Sequence, residues 1–306
     1  MSDAGAKLPS QEPAIAQWCA DRGFRVSVQG RLGDGALNAH WLLRDEERDR
    51  LLIFRQRGEG HWLQRGFVGE ALAQTRARKA GVKVPAVHYA DCRGMLMDFT
   101  NGSADRETVI ALAQGSPGFR ADVVEQLTCL HSETNFRFRG EDASSWLKMA
   151  IADYCLANTP WFSKLQNPDK AEAMMAGVHE LGFEALCLCH GDFRTGNLLV
   201  EDGSLSGLLD WEFAGYRPIE ADVGWMLSSP WRYSQPKLEA SGLMAKTALL
   251  EALRMDDTQR LRGWEALALI RWCVIACLQD ERQGMPPGTN ADEAALFAEA
   301  LDLVKR

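Results

Sequence analysis

The spacing of apolar residues changes several times along this chain. Between residues 10 and 22 it is helical, with Ile15, Trp18 and Cys19 sharing one face behind a Ser10 cap. From Arg25 to Gln29 the period drops to two, and it does so again over His40–Arg44 and Leu51–Arg55. These three segments are predicted strands. GRLGDGALN, residues 30–38, reads as a glycine-rich turn between the first two, and the polar DEERD as the hairpin turn between the second and third. Helical spacing runs over Trp62–Ala80 until Gly81 stops it, with Pro85 in the extended segment beyond. Short strands near Val87 and over Gly94–Phe99 bring the expected sheet to about five strands.

Past Asn101-Gly102 the pattern is mostly helical, with helices expected near 105–114, 119–133, 142–158 and 169–182. Two short strands interrupt them between Cys187 and Asp210, joined by the turn EDGS. Helices then resume near 219–228, 236–254, 258–282 and 291–304, the last opened by Asn290 and Glu293 at capping-box spacing. Two domains are therefore expected: a sheet-rich one over 1–100 and a helical one over 101–306. A hinge near 98–102 and a ligand cleft are expected between them.

Composition narrows the function. A net charge of -8 argues against nucleic-acid binding, which needs clustered Lys and Arg. The eight cysteines include no C-x-x-C pair, so buried free thiols in a reducing compartment are expected. No apolar signal segment opens the sequence, and Ala266–Leu278, broken by Arg271, is too short to span a bilayer. A soluble, cytoplasmic protein with no membrane partner is the expectation.

The chemistry concentrates in HGDFRTGNLLVEDGSLSGLLDWE, residues 190–212. Asp192 and Asn197 share a tight loop. The apolar Leu198–Val200 leaves it, turns at Asp202-Gly203, and Leu205–Leu209 returns, delivering Asp210 beside the starting loop. Phosphoryl transfer needs a carboxylate for the attacking hydroxyl's proton and oxygen ligands for Mg²⁺. Asp192 suits the first role and Asn197 with Asp210 the second. His190 is counted with Asp192 as a catalytic residue, able to hydrogen-bond the loop backbone and fix its shape.

HGDFRTGN followed by DWE resembles the catalytic loop and metal-binding segment of the aminoglycoside phosphotransferase and choline kinase family. HGD and DWE, in place of HRD and DFG, point to its small-molecule branch rather than to protein kinases. The resemblance spans about residues 28–228. It implies an α+β, bilobal protein-kinase-like fold with a small five-stranded antiparallel sheet lobe and a larger, mainly helical lobe. It also implies a Mg²⁺-dependent kinase that transfers the γ-phosphate of ATP or GTP to a hydroxyl of a small molecule. A catalytically silent nucleotide-binding regulatory module is the alternative, against which the intact Asp192, Asn197 and Asp210 speak. The resemblance to a branch that includes domains attached to acyl-CoA dehydrogenases keeps hydroxy acids among the candidate acceptors, without identifying the acceptor or the oligomeric state.

Further nucleotide contacts follow from the resemblance. Gly33, Gly35 and Asn38 fall at the nucleotide loop, although Leu37, His40 and Trp41 depart from the family's usual Ser and Thr-Tyr. Arg55 falls at the phosphate-contacting cation, and Glu70, in the next helix, at that cation's partner; Phe67, Ala71 and Leu72 are expected to pack this helix on the sheet. Arg57, the competitor of Arg55, is read as facing the other side of the strand. Met97, Asp98 and Thr100 fall at the adenine hinge, where Asp98, Phe99 and Thr100 offer backbone groups to the purine. His131 is read as a structural histidine. Trp161, Trp225, Trp231 and Trp272 are read mainly as core.

Overall fold

The computed structural model describes residues 12–34, 38–57, 66–134, 141–286 and 288–305. They form two units. One comprises the described residues up to Thr75 together with Pro85–Thr100; the other comprises Arg76–Val84 and the described residues from Asn101 on.

The first unit is built on an antiparallel sheet of β1 (Val26–Asp34), β2 (Asn38–Asp45), β3 (Arg50–Arg57), β4 (Val87–Ala90) and β5 (Gly94–Asp98), in the order β1-β2-β3-β5-β4. The DEERD turn is held by Asp45, whose buried carboxylate accepts from the N–H groups of Glu47 and Arg48 and pairs with Arg50. Pleating sorts β3 by parity. Leu52 and Phe54 join Trp41, Leu43 and Leu96 in a core closed by Ile15 and Trp18 of α1 (Glu12–Ala20). Ile53 joins Met95, Met97 and Phe67 of α2 (Gly66–Lys79) in a second. Leu72, expected in that packing, is 54% exposed; Phe67 carries the contact, flanked by Ala71.

The glycine-rich segment differs from expectation. Residues 30–34 continue β1, with register shifts between Val28 and Gly30 and between Arg31 and Gly33. Bulges let a strand absorb extra residues while it keeps pairing, so glycines that suggested a turn lie within the ladder. The expected Ser10 cap lies outside the described residues.

The second unit holds α3 (Arg106–Gly115), α4 (Pro117–Ser132), α5 (Glu141–Tyr154), α6 (Pro168–Glu180), α7 (Glu220–Leu227), α8 (Lys246–Leu253), α9 (Gln259–Arg282) and α10 (Glu293–Lys305). Two small antiparallel pairs interrupt them: β6 (Cys187–Cys189) with β9 (Gly215–Arg217), and β7 (Leu198–Glu201) with β8 (Ser204–Leu208). Asp202 and Gly203, both at positive φ, make the two-residue turn of the second pair. α9 is buried along most of its length, and Gly224 of α7 lies so close to its backbone that a Cβ would come within 2.7 Å of Trp264 and Glu265.

Two expectations fail here. The helix expected over 236–254 exists only as α8. The stretch before it folds into turns around Ser241, whose hydroxyl accepts from the Thr195 N–H at 3.0 Å, so it anchors the 190s loop instead. The Asn290–Glu293 capping box is also not formed. Asp292 caps α10 through the Ala295 N–H, while the Glu293 carboxylate accepts from Gln166 and Asn167 N–H at the start of α6.

Candidate active site

The site grows out of the end of β6. Gly191 has φ +78, and a Cβ there would stand 2.2 Å from the Phe213 carbonyl oxygen, so the turn admits only glycine. His190 is fully buried. Its Nδ1 accepts from the Asp192 N–H (3.2 Å), which leaves the proton on Nε2 to donate to the Leu209 carbonyl (2.9 Å). Burial, opposed by the carboxylates of Asp222, Asp192 and Asp210, holds its pKa below the ordinary histidine value. His190 makes the bonds to the loop backbone expected of it and acts by geometry as a positioning residue. It is a neutral clasp between the backbone of Asp192 and the residue before Asp210.

The β7–β8 hairpin returns the chain before Asp210 to the backbone of Asn197. Leu198 pairs with Leu208, and the Leu209 N–H donates to the Asn197 carbonyl at 2.9 Å, so the two ends of the β7–β8 hairpin close on each other. The Asn197 amide NH₂ donates to both the backbone carbonyl and Oδ2 of Asp192, each at 2.7 Å. That fixes which end of the amide is its oxygen. Asp210 adopts φ 68, ψ 67, a left-handed conformation that non-glycine residues hold only where surroundings impose it, often at functional sites.

Four supporting residues escaped the sequence reading. Asp222 on α7 is fully buried and accepts from the N–H groups of His190 (2.8 Å) and Gly191 (2.7 Å) and from Nε2 of His131 (3.1 Å). Burial works against its charge, but His131 and these donors outweigh it and hold the carboxyl below the usual range. His131 is likewise disfavoured as a cation by burial, yet its bond to Asp222 and the neighbouring Cys189 push it up to about 9. Trp225, one α-helical turn along α7, donates from Nε1 to Asp192 Oδ1 at 2.7 Å, so a residue read as core touches the site. Arg271 of α9 is boxed by Tyr154, Phe213 and Trp225 at 4.9, 4.4 and 4.2 Å and donates to the Gly191 carbonyl. Arg194 donates from Nε to both oxygens of Asp192, at 3.0 and 3.2 Å. An arginine interrupting the apolar run of α9 was the visible signal for Arg271, and the acidic residues after DWE were the signal for Asp222.

The cysteines are free thiols as expected, most of them buried, with Cys92 exposed. Among the described residues, His131, Cys187 and Cys189 bring three potential ligand atoms within 4.8 Å, a grouping that a search for C-x-x-C spacing misses. The Sγ atoms donate to the Arg217 and Pro218 carbonyls, and burial pushes the Cys189 thiol well above its ordinary pKa.

In the first unit, Arg55 and Glu70 form an ion pair with both side chains only 4% exposed. Since β3 continues to Arg57, the pleat puts Arg55 and Arg57 on one face, not on opposite ones. What separates them is burial: Arg57 is exposed at the strand's end. Asn38 is buried at the start of β2, paired across from Arg57. Gly33 lies in β1 opposite His40, while Gly35 falls outside the described residues. Met97 is buried in β5. The Asp98 N–H donates to Ala86 and the Phe99 N–H to Leu51, and the Asp98 carboxylate takes Arg50 and His88. Those two N–H groups are therefore engaged within the sheet. Thr100 closes the unit, partly exposed.

Comparison with known proteins adds a family and a fold. The family model described as the phosphotransferase enzyme family matches residues 29–281. Among solved structures, that of aminoglycoside phosphotransferase APH(4)-Ia superposes with a TM-score of 0.62 at 14% identity, over 96% of this chain and 98% of that one. Choline kinase from Cryptosporidium parvum Iowa II gives 0.61 at 13% identity, over 96% and 95%. Ethanolamine kinase from Plasmodium vivax gives 0.59 at 15%, over 92% and 81%. The fold is thus the α+β, protein-kinase-like one.

Proposed function

Because the chain belongs to the phosphotransferase enzyme family, we propose that it is a small-molecule kinase in which Asp192 takes the proton of the acceptor hydroxyl. The acceptor oxygen bonds to the γ-phosphorus as the bond to the β-phosphate oxygen breaks. The products are the phosphorylated alcohol, a nucleoside diphosphate and one proton, held first on Asp192. The observation that carries this reading is the closed hairpin that brings Asp192, Asn197 and a left-handed Asp210 together around His190.

The donor set fits a hard divalent cation. Asp210 offers a carboxylate, and Asn197, with its NH₂ committed to Asp192, has its amide oxygen for a metal. Mg²⁺ bound there would neutralise charge on the phosphates. The protein's own part is positional. His190 keeps the base and the residue before Asp210 in fixed relation, and Trp225 and Asn197 orient the carboxylate of Asp192.

ATP or GTP is the proposed donor; the solved structures of APH(4)-Ia include complexes with AMP-PNP and with ADP. We assign Arg55 to the nucleotide phosphates and Glu70 to holding it, with Gly33, Gly35, Asn38, Met97, Asp98 and Thr100 as further nucleotide contacts. No helix among the described residues is long and apolar enough to cross a membrane, and the eight cysteines are free thiols, which suits the cytoplasm. The test is nucleoside diphosphate release with Mg²⁺ over a panel of alcohols, in which an Asp210→Ala variant should be silent.

A further inference from the structure

The base assigned above is fully occupied. A carboxylate has about four lone-pair positions. On Asp192, Oδ1 accepts from Trp225 and Arg194, and Oδ2 from Asn197 and Arg194. A hydroxyl that is to give its proton to Asp192 must displace one donor. Trp225 is 1% exposed and Asn197 4%, both fixed by packing. Arg194 has a side chain 25% exposed on a flexible stem, so it is the donor able to leave.

Its resting place is nevertheless a built seat. The guanidinium lies 4.7 Å over the Trp231 ring and fills the space of the Cβ that Gly196 lacks, where such an atom would be 2.3 Å from Nη1. Burial disfavours its charge, but Asp192 and Tyr233 overcome this and push its pKa above the ordinary arginine value. Drawing a cation from such a seat requires another negative partner. Tyr233, held with Ser234 at consecutive positive φ, stands between Arg194 and a second guanidinium, that of Arg106, 4.9 Å over its ring. Beyond it lies a groove of about 450 Å³ bordered by Arg106, Glu107, Gln114, Tyr233 and Gln235.

Resting on the kinase reading, we propose that the acceptor is an anionic alcohol, its carboxylate or phosphate received by Arg194 with support from Arg106. The anion draws Arg194 off Asp192 and so uncovers the base only when an acceptor is in place. An amino alcohol offers Arg194 no such partner, whatever it finds in Glu107 at the groove.

The test is Mg²⁺-dependent nucleoside diphosphate release with hydroxycarboxylates of increasing chain length, their uncharged amides, monophosphorylated polyols and amino alcohols. The wild type should turn over anionic alcohols and discriminate against the matching amides. Arg194→Met should lose about 100-fold in kcat/KM on the anionic acceptor, mainly through KM, and bring the acid-to-amide ratio close to one. Arg106→Met, at an exposed helix start, should lose a smaller factor in the same direction. A wild-type preference for amino alcohols or neutral alcohols, or an unchanged acid-to-amide ratio in Arg194→Met, overturns the proposal and leaves the kinase reading standing. Turnover of no acceptor of any charge overturns both.

Discussion

Asp222→Asn is the sharpest perturbation of the frame around the 190s loop. The carboxylate receives three buried donors: the N–H groups of His190 and Gly191 and Nε2 of His131. An asparagine has one acceptor oxygen and turns an NH₂ towards at least one of them. An orphaned buried donor costs about 1–3 kcal/mol, and removing one partner of a buried ion pair about 3–5 kcal/mol. Because the second figure already contains the first, the expected loss is about 3–5 kcal/mol. At roughly 2–4 °C per kcal/mol for a domain of 150–250 residues, Tm should fall by roughly 6–20 °C. Urea unfolding followed by tryptophan fluorescence measures this as a lower midpoint at unchanged m-value. The double variant His131→Gln/Asp222→Asn should lose less than the sum of the single losses, since each removes the same pair. A midpoint for Asp222→Asn within about 0.5 kcal/mol of wild type, the scatter of an ordinary surface change, would refute the reasoning.

Other outcomes follow from the same geometry. The His131–Asp222 pair gives stability a pH profile. His131, raised to about 9 when folded, contributes fully below its unfolded value of about 6.5 and loses that contribution as pH rises towards 9. His190, depressed when folded, lowers stability as pH falls below about 6.5, and melts across pH 5–10 should show both flanks, with the alkaline one flattened in His131→Gln. Asp210→Ala should abolish Mg²⁺-dependent binding of a non-hydrolysable triphosphate and Asn197→Ala weaken it; calorimetry with metal dependence intact in Asp210→Ala would remove that assignment. Arg55→Ala should raise the nucleotide KM, lower kcat and destabilise the first unit through loss of the buried Arg55–Glu70 pair. Wild-type kinetics in Arg55→Ala alongside an inactive Arg57→Ala would show that the other arginine holds the phosphates.

Local signals carried much of the architecture. Period-two spacing and the DEERD turn located β2 and β3, and HGD, Asn197 and Asp210 marked one hairpin whose closure could be reasoned out in advance. Residues recruited across the fold were not legible in this way. Asp222, Trp225 and Arg271 reach the loop from helices 30 to 80 positions away in sequence. No spacing rule links them to it. Arg194 lies inside the motif itself, but its fold-back on Asp192 depends on Trp231 and on the missing Cβ of Gly196. Glycines misled as well: those of residues 30–34 sit in a bulged strand rather than a turn. The false capping box at Asn290–Glu293 shows the same limit, since Glu293 is drawn to the start of α6, over 120 residues earlier.

The central claim is that Asp192 deprotonates an alcohol that receives the γ-phosphate. The most direct test follows label from a γ-³²P nucleoside triphosphate into the phosphorylated alcohol, comparing wild type with Asp192→Asn at saturating nucleotide and Mg²⁺. Wild type should transfer label to the acceptor in a Mg²⁺-dependent reaction. Asp192→Asn should be slower by about 10²–10⁴-fold, the usual loss for a positioned general base, with nucleotide affinity nearly unchanged. Transfer by Asp192→Asn at the wild-type rate would contradict the account.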